Sequence, residues 1–243
     1  MSAPEIVLLA HGSPDPRHAR GVEELAGHVR ALAPARPVHT AYLDHHEPTP
    51  SDTASALGDH AVVVPVLITP AYHARVDVPA AVEQIASTSG ARVALAEPLG
   101  PHPLLLDAAE ELLLAHGVAP DPRTAVLLYA AGSSDSDAVA AVTHVVQEHP
   151  REGWGRWDVA ALDGGATLEQ VLRRLPEDTD RTVAVSFMVA EGILRDRMAQ
   201  ECGRHGVTMV PGALAQTDAV AQLVLARADN LPAGTSPADS LPG

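Results

Sequence analysis

The chain has 243 residues, 46% of them hydrophobic, and a formal net charge of −15. That balance argues for a globular protein and against one that binds nucleic acid or an anionic membrane surface. A single cysteine, Cys202, excludes an internal disulfide, and no apolar run reaches the roughly 18–20 residues of a membrane span. The opening "MSAPEIVLLAHGS" has no basic stretch before its apolar run and does not read as a signal peptide, so a cytoplasmic location is expected.

Short apolar runs at about 5–10, 37–43, 61–68 and 91–96 predict strands. Between them, Gly21–Leu32 and Val78–Ala86 carry helical spacing, and the run 102–116, "HPLLLDAAEELLLAH", predicts a helix with Asp107, Glu110 and Glu111 on its polar side. Strand–helix alternation of this kind predicts a parallel sheet covered on both faces. After "HGVAPDPRT" the pattern restarts, with apolar runs at about 124–130, 157–162, 182–190 and 207–210. The halves align. "VLLAHGSPD" at 7–15 matches "LLYAAGSSD" at 127–135, "AYLDHHEPT" at 41–49 matches "AALDGGATL" at 160–168, and "VPVLITPAYH" at 64–73 matches "VSFMVAEGIL" at 185–194, all at offsets of 119 to 121. Three blocks at one offset indicate an internal duplication. The expected organisation is an N-terminal domain over 1–119, a C-terminal repeat over 120–229, and a flexible Pro-, Gly- and Ser-rich tail over 230–243.

Open parallel sheets bind ligands beyond the carboxyl ends of their strands. His11 follows the first strand, Asp44 the second and His73 the third, so three metal-ligating side chains are expected at one sheet edge. Two imidazoles and a carboxylate suit a borderline divalent ion such as Fe, Co, Ni or Zn. The duplicate keeps Gly132-Ser133 and Asp163, but has Ala131 and Leu194 where the first half has His11 and His73. Imidazoles required by the fold would be required twice, so these two read as functional. Asp44, Asp15 and Asp77 have an alternative role as helix caps or turn residues. His45 and His46 read either as extra ligands or as a solvated turn, and the other histidines as surface residues.

The motifs "LLAHGSPDP", "YLDHHEP" and "VPVLITPAYHARVDVP" together resemble the sirohydrochlorin chelatase family, the cobalt- and iron-inserting enzymes of cobalamin and siroheme synthesis. "VSFMVAEGILRDRM" is similar to the degenerate second half of two-domain members. The resemblance implies two flavodoxin-like domains, each with a parallel four-stranded sheet, and a tetrapyrrole in the cleft between them. It places the family's metal-binding histidines on His11 and His73 and its acidic ligand, commonly glutamate, on Asp44. The chain departs from the pattern at Pro14, where arginine is common after "HGS", and at Ala71, where glycine is common.

The resemblance implies a lyase that inserts Fe²⁺ or Co²⁺, with Ni²⁺ as a further option, into sirohydrochlorin without an organic cofactor. His11 and His73 would deliver the ion, and one of them would accept a pyrrole proton. The substrate is rich in carboxylates, so Ser13, Arg17 and Arg75 are the expected substrate contacts, with Arg20 also near in sequence. The expected partners are that tetrapyrrole and the metal, and the expected state is a monomer whose cleft lies between its halves. A non-catalytic metal carrier would use the same residues. A histidine phosphatase would need an arginine directly before His11, where the chain has Ala10.

Overall fold

A computed structural model describes residues 3–69, 76–133 and 136–231 of the chain. It contains two parallel four-stranded sheets. The first is built from β1 (Glu5–Ala10), β2 (Val38–Tyr42), β3 (His60–Pro65) and β4 (Arg92–Leu95), in the order β2-β1-β3-β4. The second repeats that order with β5 (Thr124–Gly132), β6 (Arg156–Asp163), β7 (Arg181–Ser186) and β8 (Thr208–Met209), as β6-β5-β7-β8. Every pairing between neighbours is parallel. The fold class and the duplication expected from the sequence are both present. Residues 232–243 of the expected tail lie outside the described residues.

The strands are nearly continuous apolar runs because both faces of each sheet are covered. In β1, Ile6, Leu8 and Ala10 point into one hydrophobic cluster, and Val7 and Leu9 point into another. The second cluster is closed by Val78, Ala81 and Ile85 of α3 (Asp77–Ser89). Helix α1 (Pro16–Leu32) is started by Asp15, whose side chain accepts the Arg17 N–H, and by Pro16 at a position where no N–H is needed. It buries Val22, Leu25, Ala26 and Val29, one face at helical spacing. Two short helices, α2 (Pro50–Ala54) and α6 (Leu168–Leu172), are too brief to show a period. Each is announced instead by a capping box, Thr49 with Asp52 and Thr167 with Gln170, and the boxes occupy matching places in the two halves.

The last helix of each half covers the other half's sheet. Helix α4 (Leu104–Ala115) lies against β7, and α8 (Asp218–Asp229) lies against β3, α1 and α4. Polar contacts hold both in place. Glu110 of α4 accepts the Trp154 indole N–H at 2.9 Å and pairs with Arg151, which also donates to Asp107 at 2.6 Å. Asp229 of α8 accepts from the buried Arg36 at 2.7 Å, and Arg36 donates as well to the Pro4 carbonyl at 2.6 Å. The largest hydrophobic cluster therefore runs through both halves, joining Leu8 and Val64 to Leu106, Val126, Val185 and Leu223. The remaining helices, α5 (Ser136–Glu148) and α7 (Ile193–Arg204), flank the second sheet. No helix among the described residues is long and apolar enough to cross a membrane.

A shared core has a thermodynamic consequence. Leu223 is fully buried in α8, so Leu223→Ala is expected to cost about 2–5 kcal/mol. The loss should appear in one unfolding transition that includes the N-terminal sheet. Calorimetry showing two separate transitions, with only the later half of the chain destabilised, would contradict this.

Candidate metal centre

His11 lies on the exposed carboxyl edge of the first sheet, one residue beyond β1. The β1–β2 ladder continues past the strand ends: Leu43 N–H donates to the Ala10 carbonyl at 3.0 Å and Asp44 N–H to the His11 carbonyl at 2.9 Å. Asp44 is thereby fixed beside His11. Gly12 is what allows this approach. Its φ is +98°, and a Cβ there would sit 1.8 Å from the Asp44 carbonyl oxygen. Gly132 repeats the device, with φ +85° and the same 1.8 Å clash against Asp163.

The carboxylate of Asp44 also shapes its own turn. Asp44 Oδ1 accepts the His45 N–H at 2.8 Å, as Asp163 Oδ1 accepts the Gly164 N–H at 2.9 Å. His45 has φ +65°, equal to that of Gly164. A histidine held in the left-handed region costs about 1–3 kcal/mol where the duplicate uses glycine without strain. Its ring returns to Asp44, with Nε2 3.3 Å from Oδ2. The turn-building role of Asp44 is thus common to both halves, and the imidazoles are particular to the first.

His73 and Arg75 lie outside the described residues. The chain leading to them leaves from this same edge, since Val66 N–H donates to the Leu9 carbonyl at 2.8 Å directly after β3. Among the described residues no three His, Cys, Asp or Glu side chains converge on one point. Cys202 offers no thiolate alternative: it is buried, and burial pushes its thiol up to about 12.

Other expected residues have structural work. Ser13 Oγ accepts the Asp15 N–H at 3.2 Å, and Asp15 caps α1. Asp77 lies in the first turn of α3. Arg17 donates through Nε to both Asp15 oxygens at 3.1 Å, and through its terminal nitrogens to Asp196 of α7 at 3.0 and 2.6 Å. Its guanidinium is therefore committed to two carboxylates and ties α1 to the second half of the chain. Beside this clamp lies a cleft of about 260 Å³ bordered by Arg20, Glu24, Glu191 and Gln216. Gly21 faces it with room for no side chain, since a Cβ would lie 2.6 Å from that of Ala190.

One feature of the site had no signal in the sequence. The rings of His18, in α1, and His46, two residues after Asp44, lie parallel within 3° with centroids 6.4 Å apart. The Tyr42 ring meets His46 edge-on at 5.4 Å. Burial, followed by the neighbouring His46 and His11, lowers the pKa of His18 and keeps it neutral.

Residues 5–115 match the CbiX family model. The N-terminal sheet and the helices that cover it are thus similar to the CbiX family. Among solved structures, SirB from Bacillus subtilis with Fe³⁺ is similar to this chain, with a TM-score of 0.76 and 21% identity over 94% of this chain and 95% of that one. SirB from Bacillus subtilis subspecies spizizenii in complex with cobalt gives 0.69 and 19% over 94% of each chain. CbiX, described as the terminal enzyme for biosynthesis of siroheme in denitrifying bacteria, gives 0.60 and 19% over 91% of this chain and 98% of that one. No curated protein matches the chain.

The chain carries a pH signature at its clamp. The Arg17 side chain, then its backbone N–H, holds the Asp15 carboxyl down at about 2, below its ordinary 3.8, and Arg17 lowers Asp196 as well. A carboxyl lowered in the folded state stabilises fully above its unfolded value, and the contribution is lost as pH falls through the folded value. Wild-type stability is expected to fall between pH about 4 and 2, and less steeply in Arg17→Met. Equal slopes in acid-unfolding curves of the two proteins would show that the clamp does not operate in solution.

Proposed function

We propose that this protein inserts a divalent metal, Fe²⁺ or Co²⁺, into sirohydrochlorin in the synthesis of siroheme or cobalamin. The observation that carries the reading is the backbone lock at Gly12. It holds His11 beside Asp44 at the sheet edge from which the chain departs toward His73, while the duplicate keeps the lock and lacks the imidazole. The metal-bearing SirB structures that share the fold support the choice of ion.

His11 and His73 are assigned as delivery ligands, with Asp44 as the third. Neutral imidazoles hold a borderline ion firmly and still release it, unlike a thiolate cage. Insertion breaks two pyrrole N–H bonds as the four ring nitrogens bind the ion in place of its water and protein ligands. One imidazole, freed as the ion leaves it, is assigned to take one of the two protons released, and the other passes to water. The tetrapyrrole is assigned to the cleft between the halves, with the protein acting as a monomer. Ser13, whose hydroxyl proton remains to donate, Arg20 and Arg75 are assigned to its carboxylates. Arg17 is reassigned from gripping the substrate to holding the cleft walls together, because its donors already go to Asp15 and Asp196.

The test is the absorbance spectrum of sirohydrochlorin mixed with enzyme and Fe²⁺, Co²⁺ or Ni²⁺. Insertion changes the spectrum, whereas a metal carrier binds the ion and leaves it unchanged. His11→Ala and His73→Ala are each expected to lower the insertion rate about 10²-fold or more with the fold intact. Asp44→Asn keeps an acceptor for the His45 N–H while removing the charge, and should lose less than either histidine variant. Full turnover in either histidine variant would refute the two-histidine assignment.

A further inference from the structure

A helix that follows a parallel strand begins at the carboxyl edge of that strand's sheet. Helix α1 follows β1 and α7 follows β7, so the Arg17–Asp196 pair, at 2.6 Å, joins the carboxyl edges of the two sheets. Gly192, the N-cap of α7, packs on the same junction, where a Cβ would lie 3.8 Å from the Asp15 carboxylate. The first two residues of α7, Ile193 and Leu194, are 60% and 39% exposed. Among the described residues they are the only large exposed apolar side chains adjacent in sequence. Single apolar side chains on a surface are ordinary, but a contiguous pair beside a cleft calls for something that covers it. Ile193 shares a helix face with Asp196, three residues on, which reaches across to α1. Arg197 is the i+4 neighbour of Ile193 and the i+3 neighbour of Leu194. It is exposed and has no hydrogen-bond or ion-pair partner among the described residues. The same is true of Arg20, which borders the cleft three residues beyond Arg17 on α1.

We propose that Ile193 and Leu194 form an apolar shelf that takes one face of the tetrapyrrole ring and positions it for the ion held at His11. The proposal rests on the chelatase reading and adds to it the residues that hold the ring. A flat apolar ring edged with carboxylates matches an apolar pair flanked by two unpaired guanidinium groups, since the pair covers the face and the arginines receive the rim. The position also carries meaning. Leu194 stands where the first half has His73. One half thus offers an imidazole that binds a metal, and the other, at the matching place, a hydrocarbon with no lone pair to draw the ion away from the ring. Ile193 and Leu194 are positioning residues, since they ligate nothing and move no proton.

The experiment is equilibrium dialysis of metal-free sirohydrochlorin against the full chain, paired with a Co²⁺ titration in the absence of tetrapyrrole. Ile193→Ser and Leu194→Ser are each expected to raise the Kd for sirohydrochlorin about 10-fold, because each loses apolar surface that the ring would cover. Their affinity for Co²⁺ should equal that of wild type. Leu194→Met keeps an apolar side chain of similar size and should keep the wild-type Kd. Both positions are exposed, so the variants should fold, with far-UV circular dichroism and Tm as checks. Wild-type Kd in both serine variants, while the wild-type chain inserts metal, would overturn the shelf and leave the chelatase reading standing. A wild-type chain that alters the sirohydrochlorin spectrum with no metal would fail the chelatase reading, and the shelf with it. An equal loss of Co²⁺ affinity in the serine variants would also overturn the proposal, since it would mark a general disturbance of the site. So would sedimentation showing that serine at these positions breaks a dimer while Kd is unchanged, which would assign the pair to a contact between copies.

Discussion

The candidate site depends on one close approach. The backbone at Gly12 passes so near the Asp44 carbonyl that no side chain fits between them, and the resulting ladder extends β1 and β2 one step beyond their regular ends. Because the approach is made by backbone alone, it does not depend on what His11 or Asp44 do chemically. The second half demonstrates this at Gly132 and Asp163. A rigid edge is useful to a metal site, since ligands set on fixed backbone need little reorganisation when an ion arrives or departs.

The same comparison separates scaffold from chemistry. Asp44 and Asp163 each accept the next amide, so the carboxylate at this position has a reason to exist in both halves. His45 has no such reason. It occupies a left-handed backbone position that Gly164 fills without strain, and its ring turns back on Asp44. Strain retained beside a candidate ligand, and absent from the copy, accords with the metal-binding role proposed for this turn.

Much of this was legible in the sequence. The strands read clearly because a strand buried on both faces is apolar throughout, as Ile6 to Leu9 are. The adjacency of His11 and Asp44 followed from their places after successive strands, whereas His73 lies outside the described residues. Three features were not legible, each for a physical reason. The five-residue helices α2 and α6 show no period. The partners of Arg17 and His18 lie far along the chain, and local pattern carries no record of which distant carboxylate or ring a side chain will meet. The exchange of α4 and α8 was hidden because an amphipathic helix declares that it has an apolar face, not which sheet that face will cover.

That exchange bears on how such a chain arises. Half of it, ending after α4, has a sheet whose inner face lacks its final helix and a final helix whose apolar face lacks its sheet. Two copies of such a half satisfy one another by trading helices, as in a domain-swapped pair. Linking them in tandem replaces a bimolecular encounter with an internal one at an effective concentration of about millimolar. It also breaks the symmetry of the pair. A homodimer must carry every substitution twice, whereas the tandem chain is free to keep imidazoles on one lobe and discard them on the other, as His11 and Ala131 now stand. In the proposed reading, one lobe then specialises in handling the ion and the other in completing the fold around it.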